Sequence, residues 1–361
     1  MRITRGFDPM TEGADMGRGG WIEDRIRRVG RAVLLTLLFG LAACAHGGAA
    51  LRLETIQRAA EPSVAAGEPF TLVQWNLGYG GLGFDADFKA DGGKSLLPPS
   101  GKAVDRNLAG IQARLRAMPA DLYVFQEMAR PGLLTYGRDV AGAVAVALPT
   151  STLLFSRDIN QPVPRLHHGL GLASRVATQS VDLVAMPEDP KKFAGFITRH
   201  YHVQRIRLQI AGADWTVFNL HLSAFDGGEV RQAQLAALLT LVQAEAASGR
   251  HVVALGDWNL RLTPTHFAYT ADASAQFWIR DFPVDQLPAG WRLVFDPTTP
   301  TVRTNEQPYV AGRNYTTIID GALVSPGVDV VSVRTADTGF VATDHQPVAY
   351  VLKARPLTSS D

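Results

Sequence analysis

Five short polar clusters interrupt the apolar stretches of this chain: Trp75-Asn76, Gln126-Glu127, Asn219-Leu220-His221, Gly256-Asp257-Trp258-Asn259 and Thr343-Asp344-His345. Four of them directly follow an apolar run. Each holds an acid, an amide or a histidine. Such groups are costly at the ends of buried strands unless they are paired or bound to something. A divalent metal ion together with a phosphate ester would use all of them at once.

Taken singly, the clusters point the same way with different force. Asp257 and Asn259 stand two apart, so on extended backbone they face one side. A carboxylate beside an amide can hold and polarise a water or a phosphate oxygen without a second repelling charge. An ordinary turn uses the same residue types. Val217, Asn219 and His221 share one strand face by the same count, although a lone histidine is more often simply packed. Glu127, at the mouth of an apolar run, offers hard oxygen of the kind Mg²⁺ prefers, an ion that keeps several waters and takes one or two carboxylates. The favourable field at a helix N-terminus would also account for a glutamate there. His345 can exchange protons near neutral pH. It needs a partner to fix its tautomer, and Asp320, directly after Ile318-Ile319, is the candidate.

The elements that must position these residues are legible as short apolar runs separated by amphipathic ones. Residues 71–75, 122–126, 215–221 and 251–255 read as strands buried on both faces. Residues 315–325 and 347–352 add two more strands near the end. Val104, Leu108, Ile111, Leu115 and Met118 recur at helical spacing, which predicts a helix over 104–118. Leu235, Leu238, Leu239 and Val242 mark a second over 229–247, ended by Gly249. Loops fall at 78–83, 90–101 and 186–200. Alternating strands and helices imply a layered α/β architecture. No linker interrupts 70–355, so these residues read as one domain.

In order and spacing, the clusters resemble the endonuclease/exonuclease/phosphatase superfamily. That superfamily shows an asparagine after the first strand, Gln-Glu after the second and Asn-x-His on a middle strand. Gly-Asp-x-Asn, a strand Ile-Asp and a terminal Ser/Thr-Asp-His follow. The matching residues are Asn76, Glu127, Asn219 and His221, Asp257 and Asn259, Asp320, and Asp344 with His345. The resemblance spans about residues 70–355. It implies a four-layer α/β sandwich of two packed mixed sheets, the deoxyribonuclease I-like fold, and metal-dependent cleavage of a phosphate ester. It further implies Glu127 as the main ligand of Mg²⁺ or Mn²⁺, with Asn76 and Asp344 near the metal. Asp257 orients the attacking water or, with Asn259, contacts the scissile phosphate. His221 and His345 flank that phosphate, Asn219 assists in binding it, and Asp320 holds His345. Metal and imidazoles would stabilise charge building on phosphorus. Some members place a second glutamate between the positions of Glu127 and Asn219 to pair with the first histidine. None of Asp158, Asp182 and Glu188 fits that place in the sequence.

Bulk properties narrow the setting. The 361 residues are 46% hydrophobic and 19% charged, an ordinary globular composition, with a formal net charge of +1. Arg25, Arg27, Arg28 and Arg31 precede an apolar stretch at 32–41 that leads into Ala42-Ala43-Cys44, the pattern of a secretory signal. Leu41-Ala42-Ala43-Cys44 resembles a bacterial lipobox, with the single cysteine as its lipidation site. Residues 1–43 are therefore expected to be a lipoprotein signal peptide, 44–69 a tether and 70–355 the domain, held by a lipid anchor in the bacterial cell envelope. Residues 1–43 carry seven arginines and five acids, which leaves 28 basic against 29 acidic side chains beyond them. A near-neutral domain fits a nuclease poorly, because duplex binding leans on Lys and Arg. The expected substrate is a phosphate ester, with a phospholipid-like ester preferred. The loop bearing Lys191, Lys192, Phe193 and Phe196 could meet a membrane or a headgroup, although an ordinary surface loop explains it too. An exported nuclease and a non-catalytic binding lipoprotein on the same fold are the alternatives. The intact set of acids, amides and histidines argues against the second.

Overall fold

The computed structural model describes residues 51–355 except 61, 63–65, 67–68, 164 and 191–196. In chain order the strands are β1 (Leu53–Gln57), β2 (Phe70–Asn76), β3 (Leu122–Ala129), β4 (Thr152–Gln161), β5 (Leu166–Ser174), β6 (Thr178–Ala185), β7 (His202–Ile210), β8 (Ala213–His221), β9 (His251–Asp257), β10 (Arg292–Val294), β11 (Val302–Arg303), β12 (Thr316–Thr317), β13 (Asp320–Val324), β14 (Val328–Thr335) and β15 (Val348–Ala354). The α-helices are α1 (Gly101–Ala117), α2 (Val140–Ala147) and α3 (Glu229–Ala247). Helix α1 starts three residues before its apolar periodicity because the Ser100 hydroxyl accepts the Ala103 N–H and caps it.

Seven strands form one sheet in the order β1-β4-β5-β3-β2-β15-β14, and six form a second in the order β10-β13-β9-β8-β7-β6. Both are mixed: β2 runs parallel to β3, and β8 parallel to β9, while the other pairings are antiparallel. The layers follow from strand alternation. Leu72, Leu122, Val124 and Leu172 of the first sheet pack against Ile206, Val217, Val253 and Leu255 of the second, forming the core between the sheets. Trp75, Tyr123 and Phe125 point the other way, onto Val104, Ile111 and Leu115 of α1 and Val140 and Val144 of α2. Phe218, Leu220, Val252 and Ala254 pack in the same manner onto Leu235, Leu238 and Val242 of α3. The result is helix, sheet, sheet, helix: the expected four-layer sandwich.

Two expectations about elements are corrected. Part of the segment read as a tether is structural. β1 pairs antiparallel with β4 at the sheet edge, and Gln57 donates to the carbonyls of Leu148 and Ser151 at 3.0 and 2.8 Å. Its alternation was too short to stand out from the small residues around it. The run at 315–325 is two strands. The carbonyls of Ile318 and Ile319 accept the Leu262 and Trp258 N–H groups, so the chain changes partners between β12 and β13. The signal segment and Cys44 lie outside the described residues, as do Lys191, Lys192, Phe193 and Phe196. No helix among the described residues is long and apolar enough to cross a membrane.

Candidate active site

The face that each sheet turns toward the other is apolar for most of its length and polar at one end. On β2 it runs Leu72, Gln74, Asn76; on β3, Leu122, Val124, Gln126; on β8, Trp215, Val217, Asn219, His221; on β9, Val253, Leu255, Asp257; on β13, Val324, Ala322, Asp320. Register then aligns the polar ends, with Asn76 beside Gln126, His221 beside Asp257, and Asp257 beside Asp320. Asp257 thus sits on the strand between a histidine and an acid.

Asp257 is the hub. Its Oδ2 accepts the Asn76 Nδ2–H at 2.9 Å, and its Oδ1 accepts the Asn259 backbone N–H at 2.9 Å. The Nε2 atoms of His221 and His345 both lie 3.6 Å from Asp257 Oδ2. His345 Nδ1 is 2.8 Å from Asp320 Oδ2, and the other Asp320 oxygen accepts the Gln74 amide at 2.8 Å. The expected Asp320–His345 pair is present. His345 therefore faces carboxylate on both ring nitrogens, an arrangement that suits the doubly protonated ring. Burial opposes that charge, but Asp320 and Asp257 overcome it and hold the His345 pKa well above the ordinary value. Burial pushes Asp257 up to about 7, with Asp320 adding to the effect and His345 opposing it. His221 goes the opposite way: burial and then the charge of Arg199 hold it well below the usual histidine range.

Glu127 and Asp344 form a second, acidic end. A β-bulge interrupts the β3–β5 ladder between Phe125 and Met128, and Glu127 within it has φ 51°. The bulge lets two adjacent residues, Gln126 and Glu127, both serve the polar zone. Tyr79 and Asn259 are also non-glycine residues with positive φ, at 42° and 49°. Backbone strain of this kind concentrates where side chains must be aimed. Glu127 Oε1 lies 3.9 Å from His221 Nε2. Burial would raise the Glu127 pKa, but the neighbouring His168, His221 and Arg199 outweigh it and hold the carboxyl down at about 2. Asp344 Oδ2 accepts the Asn305 amide at 2.7 Å, and burial followed by the Glu127 charge pushes Asp344 up. The buried Tyr79 hydroxyl nearby has no hydrogen-bond partner. A buried carboxyl pushed up by its neighbour's charge, an ionised carboxylate beside it and an unpartnered hydroxyl are what a hard divalent cation relieves, so the residues fit such an ion. Asp257, Asp320 and His345 also bring ligand atoms within 4.8 Å of one another. There, however, Asp320 spends one oxygen on Gln74 and the other on His345, which marks a proton-holding group better than a metal cage.

Two of the expected site residues are engaged within the protein. Asn219 is fully buried, with both ends of its amide hydrogen-bonded. Its Nδ2 donates to the carbonyl oxygens of Phe125 and Gly171 and to Gln204 Oε1, and its Oδ1 accepts the Gln126 amide at 2.6 Å. It stitches the two sheets together, because it lies one alternation step deeper than His221. Asn76 donates its amide N–H to Asp257, and its Oδ1 accepts the Gly78 N–H at 3.0 Å, so it buttresses Asp257 from the first sheet. Asn259 stays at the site, with its amide donating to the Leu222 carbonyl and its backbone carbonyl accepting from the buried Arg231 guanidinium.

Three residues of the site escaped the sequence reading. Asp158 of β4, judged poorly placed in sequence, lies inside it. Its Oδ1 is 2.7 Å from His168 Nδ1, and its Oδ2 accepts Arg199 Nε–H at 2.8 Å. His168 Nε2 in turn lies 3.8 Å from Glu127 Oε2. A signal existed: Leu154, Ser156 and Asp158, and likewise Leu172, Leu170 and His168, repeat the apolar-to-polar gradient of β2 and β8. Arg199 lies near the end of the loop at 186–200 and carried no such mark.

A hydrolase fold of the phosphodiesterase and nuclease type is the class that this sandwich and its strand-end site define. The chain belongs to the Endonuclease/Exonuclease/phosphatase family, whose model matches residues 73–345. Similar solved structures include humanized D. rerio TDP2, at 15% identity and TM-score 0.51, covering 79% of this chain and 99% of that one. D. rerio TDP2 complexed with a single-strand DNA product matches at 16% identity and TM-score 0.51, covering 80% and 100%. An endonuclease/exonuclease/phosphatase from Beutenbergia cavernae matches at 19% identity and TM-score 0.51, covering 80% and 72%. At these identities the likeness is one of fold. No curated protein matches the chain in sequence.

Proposed function

We propose that the protein is a divalent-metal-dependent phosphodiester hydrolase that acts in the bacterial envelope on a small or lipid-like ester. The observation that carries the reaction type is the convergence of two imidazoles, 3.6 Å each, on one oxygen of a carboxylate pushed up to about 7. Glu127 and Asp344 would hold the metal, which supplies positive charge to a phosphoryl oxygen. Asp257 orients a water and accepts its proton as the water oxygen attacks phosphorus. The P–O bond to the leaving alcohol breaks, and His345, charged through Asp320, returns a proton to that oxygen. His221 presents Nε2 to the phosphoryl group. General acid–base groups of this kind contribute about 10²- to 10⁴-fold each.

The substrate class draws on different support. The part beyond residue 43 is close to neutral in charge. On the loop that continues from His221, Phe225 is 47% exposed and stacks at 5.8 Å on Phe277, 49% exposed, an exposed aromatic pair four residues along the chain from that histidine. Such a pair favours an organic ester over a polyanion. The envelope location and the lipid anchor rest on Arg25–Arg31, the apolar stretch and Cys44.

A panel of sphingomyelin, phosphatidylinositol phosphates, a chromogenic diester and plasmid DNA, each with Mg²⁺ or EDTA, tests this reading. Metal-dependent turnover of a diester, lost in Asp257→Ala and His221→Ala, is expected. Turnover unchanged in both variants sinks the mechanism, and turnover of DNA alone makes the protein a nuclease.

A further inference from the structure

The ring of His221 is bracketed by groups of opposite hydrogen-bonding sense. On its Nδ1 side, Arg199 places an Nη2 atom 2.9 Å away. A guanidinium has only donors, so Nδ1 must supply the lone pair. On its Nε2 side stand Asp257 Oδ2 at 3.6 Å and Glu127 Oε1 at 3.9 Å, both acceptors. The hydrogen bond at Nδ1 demands one tautomer, with the hydrogen on Nε2, and the more distant carboxylates on the other side agree with it without fixing it. His345 differs, because carboxylates face both of its nitrogens.

Arg199 is itself held in place. Its Nε donates to Asp158 Oδ2 at 2.8 Å, and its guanidinium carbon lies 4.6 Å over the centre of the Tyr201 ring. The Asp158 backbone carbonyl accepts the His200 N–H at 2.7 Å, which ties the end of the loop to β4. Asp158 is only 4% exposed. A carboxylate paired directly with His221 would accept a hydrogen bond from Nδ1–H and leave the ring able to carry a second proton on Nε2. With an arginine between the acid and the ring, the polarity is reversed.

We propose that Arg199, fixed by Asp158, is a positioning residue that locks His221 as its Nε2–H tautomer, making it a fixed hydrogen-bond donor to the phosphoryl oxygen rather than a proton carrier. Proton transfer then falls to Asp257 and His345. The catalytic consequence rests on the hydrolase reading above; the tautomer does not.

The test pairs a spectroscopic arm with a kinetic one. In ¹⁵N-histidine-labelled protein, long-range ¹H–¹⁵N correlations, assigned by their loss in His221→Gln, should show an unprotonated Nδ1 and a protonated Nε2 in His221. Arg199→Met should mix the two tautomers, and Arg199→Lys, which still donates, should keep the wild-type pattern. With a hydrolysed diester, Arg199→Met should lower kcat by about 10- to 100-fold, as a misplaced group does, with KM within about twofold, and Arg199→Lys should recover part of that loss. Asp158→Asn, which weakens the grip on Arg199 without removing it, should fall between. A wild-type His221 protonated at Nδ1 overturns the proposal, and so does an Arg199→Met protein that keeps the wild-type tautomer. A mixed tautomer with unchanged kcat also overturns the catalytic part. If no diester is hydrolysed but the tautomer responds as described, the hydrolase reading fails and the lock stands.

Discussion

Two histidines share one carboxylate yet are set for different work by what stands behind them. Asp320 behind His345 favours the charged ring, whereas Arg199 behind His221 forbids it. Environments that separate two like groups in this way are how acid, base and donor roles are divided within a site. Asp320→Asn should therefore lower kcat by about 10²- to 10⁴-fold, the range of a lost acid–base group. Thermal unfolding should stay close to wild type, since the amide can still accept one bond. Equal turnover in the two proteins would remove Asp320 from the mechanism. Asn219 makes the contrasting case. Asn219→Ala would strip partners from Gln126, Gln204 and two backbone carbonyls at once. Unfolding in urea should show a loss of about 2–4 kcal/mol, several buried groups being left unpaired. KM should not change in the protein that remains folded. A raised KM at full stability would return Asn219 to the substrate.

At the scale of elements, the site depends on where strands stop and bend. β8 and β9 run parallel and end together, bringing His221 and Asp257 side by side. Their close approach runs through Gly256, which has φ +149° and whose missing Cβ would meet the Leu220 carbonyl oxygen at 2.1 Å. Neither the conformation nor the space admits a side chain. Gly256→Ala should cost about 3–5 kcal/mol, at the severe end for a single substitution, seen as a lower unfolding midpoint in denaturant. A midpoint equal to wild type would show that the two strands can part without loss. The bulge at Glu127 works differently, turning one residue out of the alternation that places its neighbours. The first of these features could be anticipated from a glycine before Asp257. The bulge could not, since Gln126-Glu127 reads equally well as the regular end of a strand.

For the molecule as a whole, the acidic end of the site is unfavourable by itself. Asp344 and Asp257 are buried with raised pKa values, and the charge of Glu127 adds to the shift of Asp344. A divalent ion bound there should stabilise the fold by mass action. Mg²⁺ or Mn²⁺ at about a hundred times its Kd should add about 2.7 kcal/mol, read as a higher Tm that EDTA reverses and that Glu127→Gln lacks. A Tm indifferent to the metal in wild type would mean that the folded protein binds no such ion, and a shift kept in Glu127→Gln would place the ion elsewhere. The same readout needs no substrate, so it separates metal binding from turnover.

By itself the sequence determined the α/β layering, the helix α3, the strands β2, β3, β8 and β9, and the identity of Glu127, His221, Asp257, Asp320 and His345 as the groups of interest. Local periodicity carries that information, because a strand end that turns polar is unusual within a few residues. Tertiary structure alone decided what those groups touch. The register of β8, β9 and β13 put Asp257 between His221 and Asp320, and the sheet interface enclosed Asn219. Chain folding over 41 residues brought Arg199 to Asp158 and so set the tautomer of His221. Contacts between distant segments leave no periodicity behind, so a loop arginine and an acid on another strand look ordinary until the fold joins them.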